Sequence, residues 1–328
     1  MTTLSAGVDL GGTSITAVVR SAGGAVLGAD RRPTPRRFGP DEVPVAVAAS
    51  IHAAITSSGC DPVDVRSVGV GCPGQVDRVQ GTVGNAATLP DWPDSFPLAE
   101  VVQQHVGRPV FLDNDVRLAV LAELGSETGR SFPSFVGVYL GTGVGAGVIL
   151  DGTLWEGRGN AGELGHMVVD FTDSARRCTC GRRGCVEAYA GRAAMELAAR
   201  EAAESGRSTL LFDVMEFRDR DRLTSSIWVD AVASADPLAL ELVTTAQQAL
   251  GAGLGSVVNL LDVDAIVLGG GLALQLGEPF RAGVAAAMAE RVLAGVVPEV
   301  RFTSLGDLGG ALGAAEMAAR RAADQTAV

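Results

Sequence analysis

The chain has 328 residues, 47% of them hydrophobic and 20% charged, which is enough apolar material for two cores of ordinary domain size. A formal net charge of −12 works against the capture of a phosphate polymer, so nucleic acid is excluded as an expected partner. No apolar run reaches the roughly 20 residues of a membrane span, and MTTLSAGVDL lacks a basic-then-apolar leader, so a cytoplasmic protein with no membrane partner is expected.

In chain order, AGVDLGGTSITAVV (6–19) reads as strand, glycine turn and strand, and AVLGADRR (25–32) as a third strand after the turn SAGG. DEVPVAVAASIHAAITSS (41–58) predicts a helix, and VRSVGVGCPG (65–74) a buried strand ending in a glycine-proline turn. RPVFLDNDVRLAVLAELGSE (108–127) runs from a short apolar strand through a polar turn into a helix. From residue 135, FVGVYLGTGVGAGVILDGTLWEG repeats strand, glycine turn, strand and turn, an internal duplication of topology. A cysteine-rich segment follows, then helices at about 187–206 and 237–259, a buried strand DAIVLGGGLA (264–273) and an Ala-rich helix from about 309. Strands alternating with helices predict an α/β fold.

All 26 basic residues are arginine, which removes a lysine-bearing phosphate loop, a kinase strand lysine and Schiff-base chemistry. Phosphate recognition therefore falls to glycine turns, whose consecutive N–H groups and hydroxyls are donors without lysine. Three turns qualify: DLGGT with Gly11, Gly12 and Thr13; LGTGVGAG with Gly141, Thr142 and Gly143; and LGGG with Gly269, Gly270 and Gly271, which follows a strand and opens toward a helix. Each alone, in a chain with 43 glycines, is equally a tight hairpin. Asp9 heads the first turn, where a carboxylate could hold the water shell of nucleotide-bound Mg²⁺.

FLDNDVRLAV (111–120) places Asp113, Asn114 and Asp115 between strand and helix. Asp113 reads as a helix N-cap. Asp115 beside an amide suits phosphoryl transfer to an alcohol, which needs a group to take the proton while others hold the phosphates.

His166-x11-Cys178-x-Cys180-x4-Cys185 supplies one imidazole and three thiolates, a complete tetrahedral set for structural Zn²⁺. Two disulfides or a redox pair are the alternatives, disfavoured by the single histidine, a reducing cytoplasm and the C-x-C spacing. Cys60 and Cys72 read as inert buried thiols.

The three glycine turns resemble the phosphate and adenosine elements of the actin, sugar kinase and heat-shock ATPase superfold. FLDNDVRLAV is similar to the Asn-Asp motif of the ROK family (repressors, uncharacterised open reading frames and sugar kinases). GCPGQVD (71–77) resembles its PGPVD-like turn, and GNAGELGH (159–166), CTCGRRGC and GCVEAY (184–189) resemble its hallmark and CxCGxxGCxE zinc signature. The resemblance spans nearly the whole chain. It implies two actin-like (ribonuclease H-like) α/β domains with an interdomain cleft: residues 1–117, joined by a C-terminal helix at 309–325, and residues 118–308 carrying the zinc loop. It implies an ATP- and Mg²⁺-dependent glucokinase-like enzyme, with Asp115 as general base on the 6-hydroxyl of an aldohexose. Asn114 would contact the sugar, Gly74 would lie beside it, and Glu163, His166 and Glu187 would bind hydroxyls around C1 to C3. A homodimer is also implied.

The family's APNLPGW stretch is AATLPDW here (86–92), with Thr88 for Asn and Asp91 for Gly. Thr88 cannot make the bidentate contact of an amide, so recognition at C3 differs from the family pattern. Glucose is the common substrate of such proteins. A 3-amino sugar such as kanosamine fits the departure, with its ammonium paired by Asp113 or Asp91. The competing expectations are a ROK sugar-sensing regulator, for whose DNA-binding domain there is no room ahead of DLGGT, a catalytically inactive sugar-binding protein, and polyphosphate as donor, for which only RRPTPRR (31–37) offers basic charge.

Overall fold

A computed structural model describes residues 4–86, 88–293 and 297–326. Ala87, inside AATLPDW, lies outside the described residues. The chain separates into two compact units: Met1–Ser131, Gly152–Ala161 and Ser304–Val328 make the first, Phe132–Asp151 and Gly162–Thr303 the second. Residue 117, the expected boundary, falls inside the helix Asp115–Ala122, which belongs whole to the first unit.

In the first unit β1 (Leu4–Leu10), β2 (Ser14–Arg20) and β3 (Val26–Pro33) form the antiparallel meander read from the glycine turns. β4 (Val65–Cys72) precedes a short ladder of β5 (Gln75–Asp77) with β6 (Thr82–Gly84), and β7 (Val110–Asn114) completes the main sheet in the order β3-β2-β1-β4-β7. β1, β4 and β7 are parallel, and β1 and β4 are buried along nearly their whole length, as strands covered on both faces must be.

One cover is the helix Gly39–Ser58, which buries Val43, Val47, Ile51, Ala54 and Ile55 at helical spacing. It starts two residues before Asp41 because Pro40 fits a first turn, and it ends at Gly59 with φ 66°. The other is the C-terminal helix Gly309–Thr326. It lies so close to β1 and β4 that a Cβ on Gly7 would strike the backbone of Ala311 and Ala315, and one on Gly69 the backbone of Ala314. Small residues on both partners allow that approach.

The second unit begins with β8 (Phe135–Leu140) and β9 (Val144–Leu150); β10 (Thr153–Leu154) belongs to the first unit's middle segment. With β11 (Ala265–Gly269) and β12 (Glu299–Phe302), the strands β9, β8, β11 and β12 lie in that order, the first pair antiparallel and the others parallel. This repeats β2, β1, β4 and β7, so the duplicated grammar of the sequence is a duplicated topology. Its helices include Arg192–Glu204, Pro237–Leu261 and Gly271–Ala289, and also Leu211–Phe217 and Ser225–Ala233. Asp236 caps the longest, accepting from the Ala239 N–H at 2.7 Å. Each unit has its own core, around Trp228, Leu250, Ile266 and Phe280 in the second and Val8, Ile15, Ile51 and Val70 in the first. No helix among the described residues is long and apolar enough to cross a membrane.

Candidate active site

In the first unit the carboxyl ends of β1 and β7 carry acids on either side of β4. Asp9 pairs with Gly71 and Gly71 with Asp113, where ligands of open α/β sheets bind. Asp9 is half-buried, and burial raises its pKa from 3.8 to about 7, with Asp115 and then Asp307 adding to the rise and Arg31 opposing it. Asp307 was absent from the sequence candidates. It sits in the turn Gly306–Leu308, paired with Arg31 at 2.8 Å.

The turn after Asp9 is closed by the Gly11 N–H on the Ser14 carbonyl at 2.9 Å. Thr34, 3% exposed, clips it from outside: its hydroxyl donates to the Gly11 carbonyl at 2.6 Å and its N–H to the Thr13 carbonyl at 3.1 Å. Gly12 lies against Thr88, where a Cβ would come within 2.8 Å of the Thr88 Cβ. Thr88, which stands for the Asn of the family pattern, is thus a direct neighbour of the first glycine turn. Gly74, at φ 88°, turns the chain from β4 to β5 against Ala86, two residues before Thr88. Asp91 is exposed at φ 51°.

The helix N-cap is Asn114, not Asp113. Asn114 Oδ1 accepts from the N–H groups of Val116 at 3.1 Å and Arg117 at 3.2 Å. Two adjacent capping residues are ambiguous in sequence; the chain leaves β7 one residue later than expected, so Asn114 takes the cap. Asp113 instead ends β7, 2% exposed, accepting from the Asn114 N–H at 2.8 Å with Arg117 at 3.5 Å and Arg78 at 3.7 Å. Burial raises its pKa while Arg117 first, then the Asn114 N–H and Arg78, restrain the rise. Of the two acids expected for a sugar ammonium, Asp113 stands between Arg117 and Arg78, and Asp91 is exposed. Asp115 is half-buried and accepts from the Val116 N–H at 2.9 Å. Burial raises its pKa, opposed by that N–H and by the Asn114 side chain.

The arginine network reaches further within this unit. Arg78 meets Glu156 at 2.7 Å, Glu156 meets Arg321 at 3.0 Å, and Arg117 Nη1 donates to the Gly159 carbonyl at 2.9 Å. Together these contacts hold the segment Gly152–Ala161 to the base of the Asp115 helix.

In the second unit the turn Gly141–Gly143 joins β8 to β9, with the Gly141 N–H on the Gly143 carbonyl at 3.0 Å. The third turn is its neighbour, since Gly269 pairs with Tyr139, and Gly270, at φ 83°, caps the helix Gly271–Ala289. A Cβ on Gly270 would collide with the backbone of Leu140. Arg192 was not foreseen: its Nη2 reaches the Thr142 hydroxyl at 3.4 Å and its Nη1 the Leu223 carbonyl at 3.0 Å. In a lysine-free chain it is the cation beside this turn. Its place directly after GCVEAYAG was the available signal.

The four proposed metal ligands converge, with ligand atoms of His166, Cys178, Cys180 and Cys185 all within 4.8 Å of one another. Cys180 and Cys185 sulfurs are 3.7 Å apart, and Cys178 Sγ is 3.6 Å from His166 Nδ1. A tetrahedral zinc with Zn–S bonds of about 2.3 Å has an S–S edge of about 3.8 Å, so the donor set fits. His166 Nδ1 faces the cluster, leaving Nε2 on the side of Glu163, 3.9 Å from its Oε2. Burial pushes the Cys185 thiol up to about 12, whereas the Arg182 backbone and side chain, against burial, bring Cys180 down to about 6. A metal bound here would need all three as thiolates. Tyr189 braces the loop, donating to Asp170 at 2.5 Å and accepting from the Arg176 N–H at 3.0 Å. Cys72 is fully buried at the end of β4, its thiol pushed well up by burial and by Asp115, Asp113 and Asp9.

The candidates therefore form two sets. Asp9, Gly11, Gly12, Thr13, Gly74, Thr88, Asn114 and Asp115 lie in the first unit; Gly141, Thr142, Gly143, Glu163, His166, Glu187, the three cysteines and Gly269–Gly271 lie in the second.

The strand order and helical cover match the actin-like hexokinase fold of known ROK structures. The family described as "ROK family" matches residues 5–321, and the chain belongs to it. It is 32% identical over 267 residues to the glucokinase of Thermotoga maritima, covering 81% of each chain. Among solved structures it is similar to a ROK hexokinase from Thermus thermophilus, with TM-score 0.82, 32% identity and coverage of 98% and 99% of the two chains. A ROK glucokinase from Streptomyces griseus in complex with glucose and AMPPNP gives TM-score 0.79, 30% identity and coverage of 97% and 99%. Within the family the chain is thus a glucokinase-like sugar kinase.

Proposed function

We propose that the protein transfers a phosphoryl group from ATP to the 6-hydroxyl of an aldohexose. The observation that carries this reading is Asp115: a half-buried carboxylate just past the end of β7, its pKa raised by burial toward the range of an effective general base. In this reading Asp115 accepts the proton of the attacking hydroxyl, and Asn114 fixes the backbone that presents it. The N–H groups and hydroxyls of Gly11–Thr13 and Gly141–Gly143 cradle the phosphates, with Arg192 supplying positive charge. Mg²⁺, when bound to the nucleotide, neutralises its phosphates, and Asp9 is the residue to hold that ion's water shell. Gly269–Gly271 face the nucleoside, and Glu163, Glu187 and His166 take sugar hydroxyls. Zn²⁺ held by His166, Cys178, Cys180 and Cys185 has a closed shell and serves structure alone.

Glucose is the first substrate to test, since relatives of similar length bear that activity in their names. Thr88 in place of an amide, with Asp91 exposed three residues on, favours a substituent at C3 that donates rather than accepts, such as the ammonium of kanosamine. The deciding measurement is sugar-dependent ADP release with ATP and Mg²⁺ across glucose, kanosamine, mannose, glucosamine and N-acetylmannosamine. No sugar-dependent release from the whole panel would sink the kinase reading. A kanosamine kcat/KM far below that of glucose would remove the amino-sugar arm alone.

A further inference from the structure

We infer that the metal loop and the second glycine turn act as one body joined through Glu187, so that metal occupancy sets nucleotide affinity and nucleotide binding sets metal affinity. The inference rests on reading Gly141–Gly143 as a phosphate-holding turn. Glu187 stands two residues after the ligand Cys185 and opens the helix Glu187–Ala190. Its two oxygens part company. Oε2 accepts from the Val144 N–H at 3.0 Å, while Oε1 accepts from the Thr179 hydroxyl at 3.0 Å and lies 3.7 Å from the Cys178 sulfur. One carboxylate therefore spans from between two metal ligands to the turn itself.

The rest of the turn is bound to the same segment. The Arg192 N–H donates to the Gly141 carbonyl at 3.2 Å, the Ala193 N–H to the Thr142 carbonyl at 3.0 Å, and Arg192 Nη2 to the Thr142 hydroxyl at 3.4 Å. Gly143 explains its own identity here, since a Cβ on it would overlap Glu187 Oε2. A shift of that carboxylate would release the Val144 N–H and vacate the space beside Gly143. Residues 178–180 hold Oε1 only while the loop keeps its form, and a metal ion bound by the three thiols and the imidazole would fix that form. Coupling of this kind is reciprocal by thermodynamic necessity.

The test measures two affinities without sugar. One is that of a non-hydrolysable ATP analogue with Mg²⁺ for zinc-loaded and chelator-stripped protein, by calorimetry. The other is that of Zn²⁺, by competition with a chromophoric chelator, with and without the analogue. The expected result is the same factor in both, about fivefold or more. Thr179→Val, which keeps every metal ligand, should retain stoichiometric zinc yet weaken the analogue about three- to tenfold; Glu187→Ala should weaken it further and abolish the reciprocal factor. If stripping unfolds the protein, the Thr179→Val comparison, made with metal in place, decides. Analogue affinity unchanged within twofold in zinc-loaded Thr179→Val overturns the inference. Wild-type protein that binds no analogue in either state refutes the nucleotide reading itself, a distinct result that also removes the inference.

Discussion

Asp9 and Asp113 flank Gly71 on one rung of the first sheet, and Asp113 is ion-paired with Arg78 and Arg117, whereas Asp9 feels Arg31 only through its field. Burial raises both, and Asp9, with only Arg31 opposing and Asp115 and Asp307 adding, reaches about 7. Its folded pKa exceeds the unfolded 3.8, so the folded state holds the proton more tightly and this group's contribution to stability is lost as pH rises through about 7. Asp9→Asn should therefore melt higher than wild type at pH 8 without ligands, by about 2 °C or more, with a smaller gap at pH 5. Nucleotide KM in the presence of Mg²⁺ should rise. Equal melting at both pH values would show that the carboxyl is not held near neutrality.

Asp115→Asn should preserve sugar binding by calorimetry while kcat falls by about 10² or more. The acid limb of the wild-type kcat/KM profile should lie above the ordinary carboxylate range, because the base must be ionised and burial raises its pKa. Substantial turnover in the variant would remove Asp115 from the base role.

Asp113→Ala would take the buried carboxylate away from Arg78 and Arg117, leaving Glu156 with Arg78 and the Gly159 carbonyl with Arg117. A loss of about 3 kcal/mol is expected in urea unfolding of the first unit, since removing one member of a buried ion-pair network leaves its charges less well compensated. A change below about 1 kcal/mol would mean water already serves the arginines.

Thr88→Asn should raise kcat/KM for glucose by about tenfold by restoring an amide at the C3 contact. Parallel measurement with kanosamine should show the opposite trend. No change in either ratio would place Thr88 outside the sugar pocket.

The glycine turns were legible because backbone donors at strand ends need glycine and small hydroxyl residues in a fixed order, and the metal cluster because ligand spacing is local. Thr34, Arg192 and Asp307 were not, because each meets its partner across a long sequence separation and looks like an ordinary polar residue until the sheets form. The same holds for the pairing of Glu156 with Arg321. The cap fell to Asn114 rather than Asp113 for a subtler reason: either can cap, and only the length of β7 decides. The helices Leu211–Phe217 and Ser225–Ala233 went unread because MEFRDRDRLTSS interrupts their apolar spacing with charge.

The close seat of the helix Gly309–Thr326 on Gly7 and Gly69 bears on how the chain matures during translation. Strands β1 and β4 leave the ribosome early but lack the cover for one face until the final segment emerges, whereas the second unit ends at Thr303 and is complete before it. The part begun first is thus finished last. The chain truncated after Thr303 should carry a protease-resistant second unit and a first unit still open to cleavage.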